Sequence, residues 1–174
     1  MITSAADAAD ELVEWVDEFD RVIDVVPRSR MRRENLRHRS SAIVVLSTDG
    51  RLLVHRRADT KDLLPGWWDV CVGGVVTAGE SYLGAARREL AEEIGVTDVP
   101  LRPLGNGRFD DHNSKEVSRV YLALSDGPFV FSDGEVAEAH LVTHDELEVL
   151  MARKPFLPSC RAMILPLVHG FEPG

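Results

Sequence analysis

The amino-acid sequence predicts an α+β or α/β sandwich in which an acidic helix packs on a mixed β-sheet, and three observations carry that expectation. Residues 41–47 and 51–55 are apolar, β-branched or leucine-rich runs on either side of Thr48-Asp49-Gly50, a strong local signal for a β-hairpin. Residues 80–94 repeat their apolar positions at helical spacing and run into Gly95, a residue suited to ending a helix. Further strand-like runs follow that helix, so strands and helices alternate along the chain.

The remaining elements fall in order around these. The first dozen residues fit either a helix or loose chain, and residues 1–16 read as an N-terminal extension to a core over residues 38–154. Residues 20–26 are strand-like, and residues 29–36 form a short basic helix. A second apolar stretch, 69–76, ends among glycines. Residues 102–109 and 116–124 read as two strands around the polar tip Asp110-Asp111-His112-Asn113-Ser114. Thr143 is a good N-cap for a helix reaching about residue 153, with Glu146 placed to complete a capping box, and residues 159–168 read as a last helix. A chain of 174 residues with 44% hydrophobic content fits a single domain spanning residues 1–174.

A formal charge of −9 argues against a surface for nucleic acid polymers, which requires clustered cations to neutralise many phosphates. One segment departs from the average: six of the twelve residues from Arg28 to Arg39 are arginine. Such a run can bind nucleic acid, line an anion pocket or solvate a helix; the simplest reading for most of these arginines is a solvated helix face, with one or two at most reaching a substrate phosphate. No stretch is long and apolar enough for a membrane helix, and the acidic N-terminus is unlike an export signal, so a cytoplasmic protein is expected. Cys71 and Cys160 are too few for a disulfide framework or a zinc site, which agrees with a reducing compartment.

Chemistry is concentrated on the helix over residues 80–94. At about 100° per residue, Leu83, Ala86, Leu90 and Ile94 share one side, while Glu89, Glu92 and Glu93 share another. Three carboxylates within one turn repel each other, by a few tenths of a kcal/mol per i,i+4 pair. Solvent and Arg88 offset that repulsion, and so does a divalent cation. Hard ions such as Mg²⁺ take oxygen ligands from carboxylates and substrate phosphates.

The segment from Gly74 to Val96, GVVTAGESYLGAARRELAEEIGV, resembles the Nudix box at every defined position: Gly74, Glu80, Arg88, Glu89, Leu90, Glu92, Glu93, Gly95 and Val96. The resemblance implies a Nudix-type α/β/α sandwich with a mixed sheet and a loop-helix-loop. It also implies a hydrolase in which glutamates hold Mg²⁺, or Mn²⁺ in its place, while water attacks a diphosphate joined to a variable group. On that pattern Glu92 and Glu93 are the principal metal ligands, and Glu89 is a further one. Arg88 orients them through Glu80, and Gly74 lets backbone approach the metal. Leu90 and Gly95 are structural. The implied partner is a small anionic diphosphate, such as a nucleoside diphosphate derivative; a homodimer is also considered.

Outside the box, Glu135 and Glu138 resemble the acidic loop from which the family draws a base or extra ligand. Arg57, Lys61, Pro65-Gly66 and Trp68 are similar to the approach to the active site in isopentenyl-diphosphate isomerase and its hydrolase-like relatives, which implies that Arg57 and Lys61 contact substrate phosphate. The sequence departs from the isomerase where a catalytic cysteine and a metal-binding histidine flank the first glycine of the box. Those places hold Gly73 and Val75, so hydrolysis is expected. Isomerisation and a silent nucleotide-binding regulatory module are the alternatives.

Overall fold

The structure, a computed structural model, describes residues 11–169. Its centre is β3 (His38–Leu46), nearly all of it buried, with an unbroken apolar run over Ala42–Leu46. Ala42, Val44 and Leu46 enter one core cluster, and Ile43 and Val45 enter another. That two-residue alternation with burial on both sides is what a central strand between two helical layers requires. β8 (Lys115–Leu124) runs parallel to β3 from the His38↔Glu116 pair to Leu46↔Leu124. β6 (Val72–Val75) runs antiparallel to β3, from Ser40↔Val75 to Ile43↔Val72. β7 (Arg102–Asp110) pairs with β8. The sheet is therefore mixed, as expected.

The expected hairpin forms at its tip and then opens. Ser47 N–H donates to Arg51 O at 2.8 Å around the Asp49-Gly50 turn, and Leu46 faces Leu52. Beyond that pair, β4 (Leu52–Arg57) leaves β3 and takes β9 (Val136–Val142) and β5 (Trp68–Asp69) as neighbours. Ladders along most of each strand with β8 and β9 satisfy more backbone groups than a closed hairpin would. The divergence of β3 from β4 makes room for a cavity.

Helices cover both faces. α2 (Tyr82–Ile94) buries Ala86, Leu90 and Ile94 against Ile43, Val45, Val72 and Tyr121; a fully buried Leu or Ile contributes about 1.5–3 kcal/mol. The helix starts two residues later than the periodicity suggests. Ser81 is its N-cap, with the hydroxyl accepting the Gly84 N–H at 3.0 Å, and Gly95 closes it at φ 69°. On the opposite face, α3 (His144–Arg153) begins with the expected Thr143–Glu146 capping box and inserts Leu147 beside Val44, Phe156 and Ile164.

Both ends of the described residues pack into the core, so residues 12–16 and 160–165 join it beyond the expected span of 38–154; residues 1–10 of the expected extension lie outside the described residues. Within the described residues, β1 (Leu12–Val16) pairs with β2 (Val22–Pro27), and Trp15 faces His38 of β3. Val13 and Val16 are both fully buried although three residues apart, because the register shifts between Trp15 and Val16. A bulge of that kind erases the two-residue pattern by which a strand is recognised. Val13, Val26 and Val75 then enclose Met31 of α1 (Arg28–Glu34). At the other end, the expected last helix is a π-helical turn (Cys160–Ile164) followed by α4 (Leu165–His169). Pro166 has no N–H to continue an α-ladder, and Leu165 N–H donates to Cys160 O. Cys160, Met163, Ile164 and Leu165 are core residues.

Candidate active site

β6, α2, α1 and the loop before β9 surround a cavity of about 840 Å³, a volume in the range of small-molecule sites. One end is built on α2. Arg88 lies at its centre, donating from Nε and Nη2 to Glu80 at 3.1 and 3.0 Å, and from Nη1 to Glu89 at 2.6 Å and to Glu92 at 3.3 Å. Its Nη2 also reaches Val75 O at 3.3 Å, which ties the helix to β6. Burial opposes the charge on Arg88, but Glu80 and Glu89 outweigh it and raise its pKa. The ion pair expected between Arg88 and Glu80 is thus the anchor of the acidic face.

The three box glutamates are not equally exposed. Glu92 is largely open to the cavity, Glu89 is mostly buried and Glu93 is 6% exposed. Burial pushes the Glu93 carboxyl well above the usual glutamate range, and the charge of Glu89 pushes it further. Burial also raises Glu89, against the pull of Arg88. Helical periodicity placed Glu93 on a polar face; the structure places that face against the loop carrying Asp133 and Glu135, where Asp133 is likewise raised by burial. Four carboxylates therefore share one partly dry region, balanced by Arg88 and by the Lys61–Glu135 ion pair.

Gly74 faces this group. A Cβ at Gly74 would stand 2.5 Å from Glu89 Oε1, so only glycine lets the carboxylate lie against β6. Gly73, at φ 147°, packs so tightly that a Cβ would run into the Ser41 backbone. A cysteine at that place would require β6 to move away from β3.

A hard divalent cation fits the acidic end on chemical grounds: every donor is a carboxylate oxygen, and the buried acids carry an excess of negative charge that a cation would relieve. The oxygens are not tightly gathered, since Arg88 draws Glu80, Glu89 and Glu92 to itself. Among the described residues, one trio of ligand atoms lies within 4.8 Å of one another: His144, Glu148 and His169, exposed on α3 and α4.

Sequence reasoning about the outer residues divides. Glu135 lines the cavity. Glu138 does not: it sits on β9 opposite Arg56, half exposed and 3.7 Å from His140. Period-two geometry sends residues 135 and 138 to different faces once β9 begins at Val136. Arg57 and Lys61 both line the cavity, but Lys61 is engaged by Glu135, and Arg57 donates from Nη2 to Leu63 O at 2.9 Å. Trp68 closes a core, stacked with His140 and beside Phe156.

Away from α2, the cavity is lined by residues that the sequence did not single out individually. Arg28, Arg32, His38 and Glu116 line it, as do Asp69, Cys71 and Cys160. Burial keeps His38 neutral-leaning, with its pKa lowered, and its Nδ1 lies 3.0 Å from Leu36 O. Glu116 accepts from Ser40 at 3.0 Å and Ser114 at 2.7 Å. Burial raises Asp69 and both thiols, so the cysteines are protonated groups and not thiolates. The arginine-rich run was the available signal for this end, but its spacing alone does not tell cavity from solvent.

Comparison with known proteins gives a consistent identity. Residues 36–160 match the NUDIX domain family. An uncharacterized Nudix hydrolase of Pseudomonas aeruginosa is 40% identical over 157 residues, covering 90% of each chain. The uncharacterized Nudix hydrolase YfcD of Escherichia coli K12 is 41% identical over 140 residues, covering 80% of this chain and 78% of the relative. Among solved structures, DR0079 of Deinococcus radiodurans superposes with a TM-score of 0.74 at 28% identity, covering 91% of this chain and 98% of that one.

Proposed function

This chain belongs to the Nudix hydrolase family, and on that premise we propose that it is a Mg²⁺- or Mn²⁺-dependent hydrolase of a small diphosphate compound, such as a nucleoside diphosphate derivative. The observation that carries this reading is the group of carboxylates Glu89, Glu92, Asp133 and Glu135 lining a cavity large enough for such a ligand, with Glu93 buried beside them. A bound divalent cation supplies charge neutralisation at the diphosphate and a water of lowered pKa.

The chain's own residues account for the rest. Glu92 and Glu93 hold the metal, with Glu89 as a further ligand. Arg88 positions them: it fixes Glu89 from one side and Glu80 from the other, so the α2 acids do not drift apart under their own repulsion. Glu135, at the cavity wall, receives the proton of the attacking water, and its ion pair with Lys61 holds it in place there. Arg57 presents its guanidinium to substrate phosphate. The low exposure of Glu93 limits competing bulk water and strengthens each charge interaction there.

The test is to incubate purified protein with Mg²⁺ and a panel of diphosphate-linked compounds and to follow released phosphate or nucleotide. Cleavage at an anhydride that stops on chelation and returns with metal is the expected result. Formation of a rearranged but intact diphosphate from isopentenyl diphosphate would overturn it.

A further inference from the structure

Arg28 and Arg32 are one helical turn apart on α1, so they share a face, and that face lines the cavity. The other arginines of the run are spent elsewhere. Arg30 and Arg33 pair with Glu34, Arg37 with Asp110, and Arg39 with Asp20 and Glu14, and none of the four lines the cavity. Arg32 is different. Its Nε is buried and has no hydrogen-bond partner among the described residues, and the facing acid, Asp62, is exposed and 4.0 Å away, beyond hydrogen-bond range. Arg57 leaves its own buried Nε without a partner on the same cavity.

Like charges are thereby held together. Arg28 and Arg57 both act on Arg32, lowering its pKa after the larger effect of burial, while Asp62 and Glu116 pull the other way. Arg28 has one acid, Glu11, at 3.3 Å. A buried charged donor without an acceptor is costly, and Arg32 and Arg57 each leave one on the cavity, where a ligand oxygen can reach it. A planar guanidinium fork is suited to carboxylate and phosphate oxygens, which it can bind in pairs. Phe109, Leu157 and Met163 also line the cavity, so part of a ligand there would meet apolar side chains.

We infer that Arg28 and Arg32, with Arg57 at their border, form a second anion subsite that takes a phosphate monoester or carboxylate at the far end of the substrate, apart from the diphosphate that is cut. The inference rests on the hydrolase reading and narrows it: the substrate class is a diphosphate carrying a further anionic group. Arg32 is the selecting residue, because its unmet donor is in place before the ligand arrives.

The experiment has two arms. In the first, wild-type protein with Mg²⁺ is assayed on three matched diphosphates whose far end is neutral, a carboxylate or a phosphate monoester. At least one anionic member should exceed the neutral one about tenfold in kcat/KM, and R32Q should lose most of that preference, as R28Q should in part. Whichever anionic member wins identifies the group. Equal use of all three by the wild type, or a preference that survives in both variants, overturns the subsite. In the second arm, inorganic phosphate is added to metal-free protein, where the acidic end repels it. A rise in Tm of about 2–4 °C at millimolar phosphate, absent in R32Q and R28Q, is expected; no rise in the wild type overturns the subsite. If no diphosphate is cut by the wild type, the hydrolase reading fails, and the phosphate arm still decides the subsite. R28Q replaces a more exposed arginine and keeps the test readable should R32Q fold poorly.

Discussion

The two ends of the cavity treat charge in opposite ways. At the α2 end, one guanidinium is shared among Glu80, Glu89 and Glu92, while Glu93 lies buried with Asp133 and Glu135 acting on it. At the α1 end, Arg28 is paired with Glu11, while the buried Nε atoms of Arg32 and Arg57 have no acceptor among the described residues. Acids satisfied by an arginine can be pre-positioned without a ligand. Guanidinium nitrogens without an acceptor are open to a ligand oxygen. On the function and subsite proposed above, the contrast would separate the place where chemistry is arranged from the place where a ligand is selected.

The largest expected effect comes from breaking the acidic end. Glu92→Gln and Glu93→Gln each remove a charge but keep the shape, and turnover measured by product release at saturating Mg²⁺ should fall about a thousandfold. Circular dichroism should show the fold intact. Wild-type activity in either variant would sink the metal-ligand assignment.

A sharper question is which outer acid serves the reaction. Glu135→Gln should lower kcat about a hundredfold, within the usual range for loss of a general base. Glu138→Gln, on β9 and away from the cavity, should leave kcat within about twofold of the wild type on the same scale of effects. The reverse pattern would move the base to β9.

Gly74→Ala tests close approach. The new methyl would meet the Glu89 carboxylate at 2.5 Å and displace it or β6. A loss of about tenfold in kcat/KM is expected, the size of a small misplacement of a catalytic group, with less effect on Tm than on rate. Unchanged kinetics would mean that Glu89 has no positional role.

The smallest effect is on stability. Glu93 and Glu89 have folded-state pKa values above the ordinary glutamate value of 4.5. In metal-free protein, folding is therefore favoured by these groups below that value, and the contribution is lost as pH rises through their raised values. Melting curves should show metal-free protein losing several degrees of Tm from pH 5 to pH 8, and Glu93→Gln should flatten the slope. Millimolar Mg²⁺ or Mn²⁺ at pH 8 should restore stability, since it binds the arranged acids of the folded state. A slope that is the same in wild type and Glu93→Gln would remove Glu93 as its source.

Much of the site was legible because it is local. The spacing of Glu89, Glu92 and Glu93, the pairing of Arg88 with Glu80, the stop at Gly95 and the capping box at Thr143 and Glu146 are all set within a few turns of chain, where geometry follows from sequence separation. Gly74 was legible as a position that tolerates no side chain, though the group it makes room for, Glu89, emerged with the packing.

What tertiary structure alone decided is where those local pieces meet water. Periodicity gave Glu93 a polar face, but the loop carrying Asp133 and Glu135 turned that face into a buried one. The Asp-Gly turn predicted a hairpin, but longer ladders with β8 and β9 pulled its strands apart and made the cavity. A bulge hid β1, and Pro166 broke the last helix. Six arginines in a dozen residues read alike in sequence; β1, β3 and the loop carrying Asp62 set two of them inside. Sequence fixes which residues are neighbours along one element, whereas burial and charge pairing depend on elements far apart in the chain, and those decide what each charged group can do.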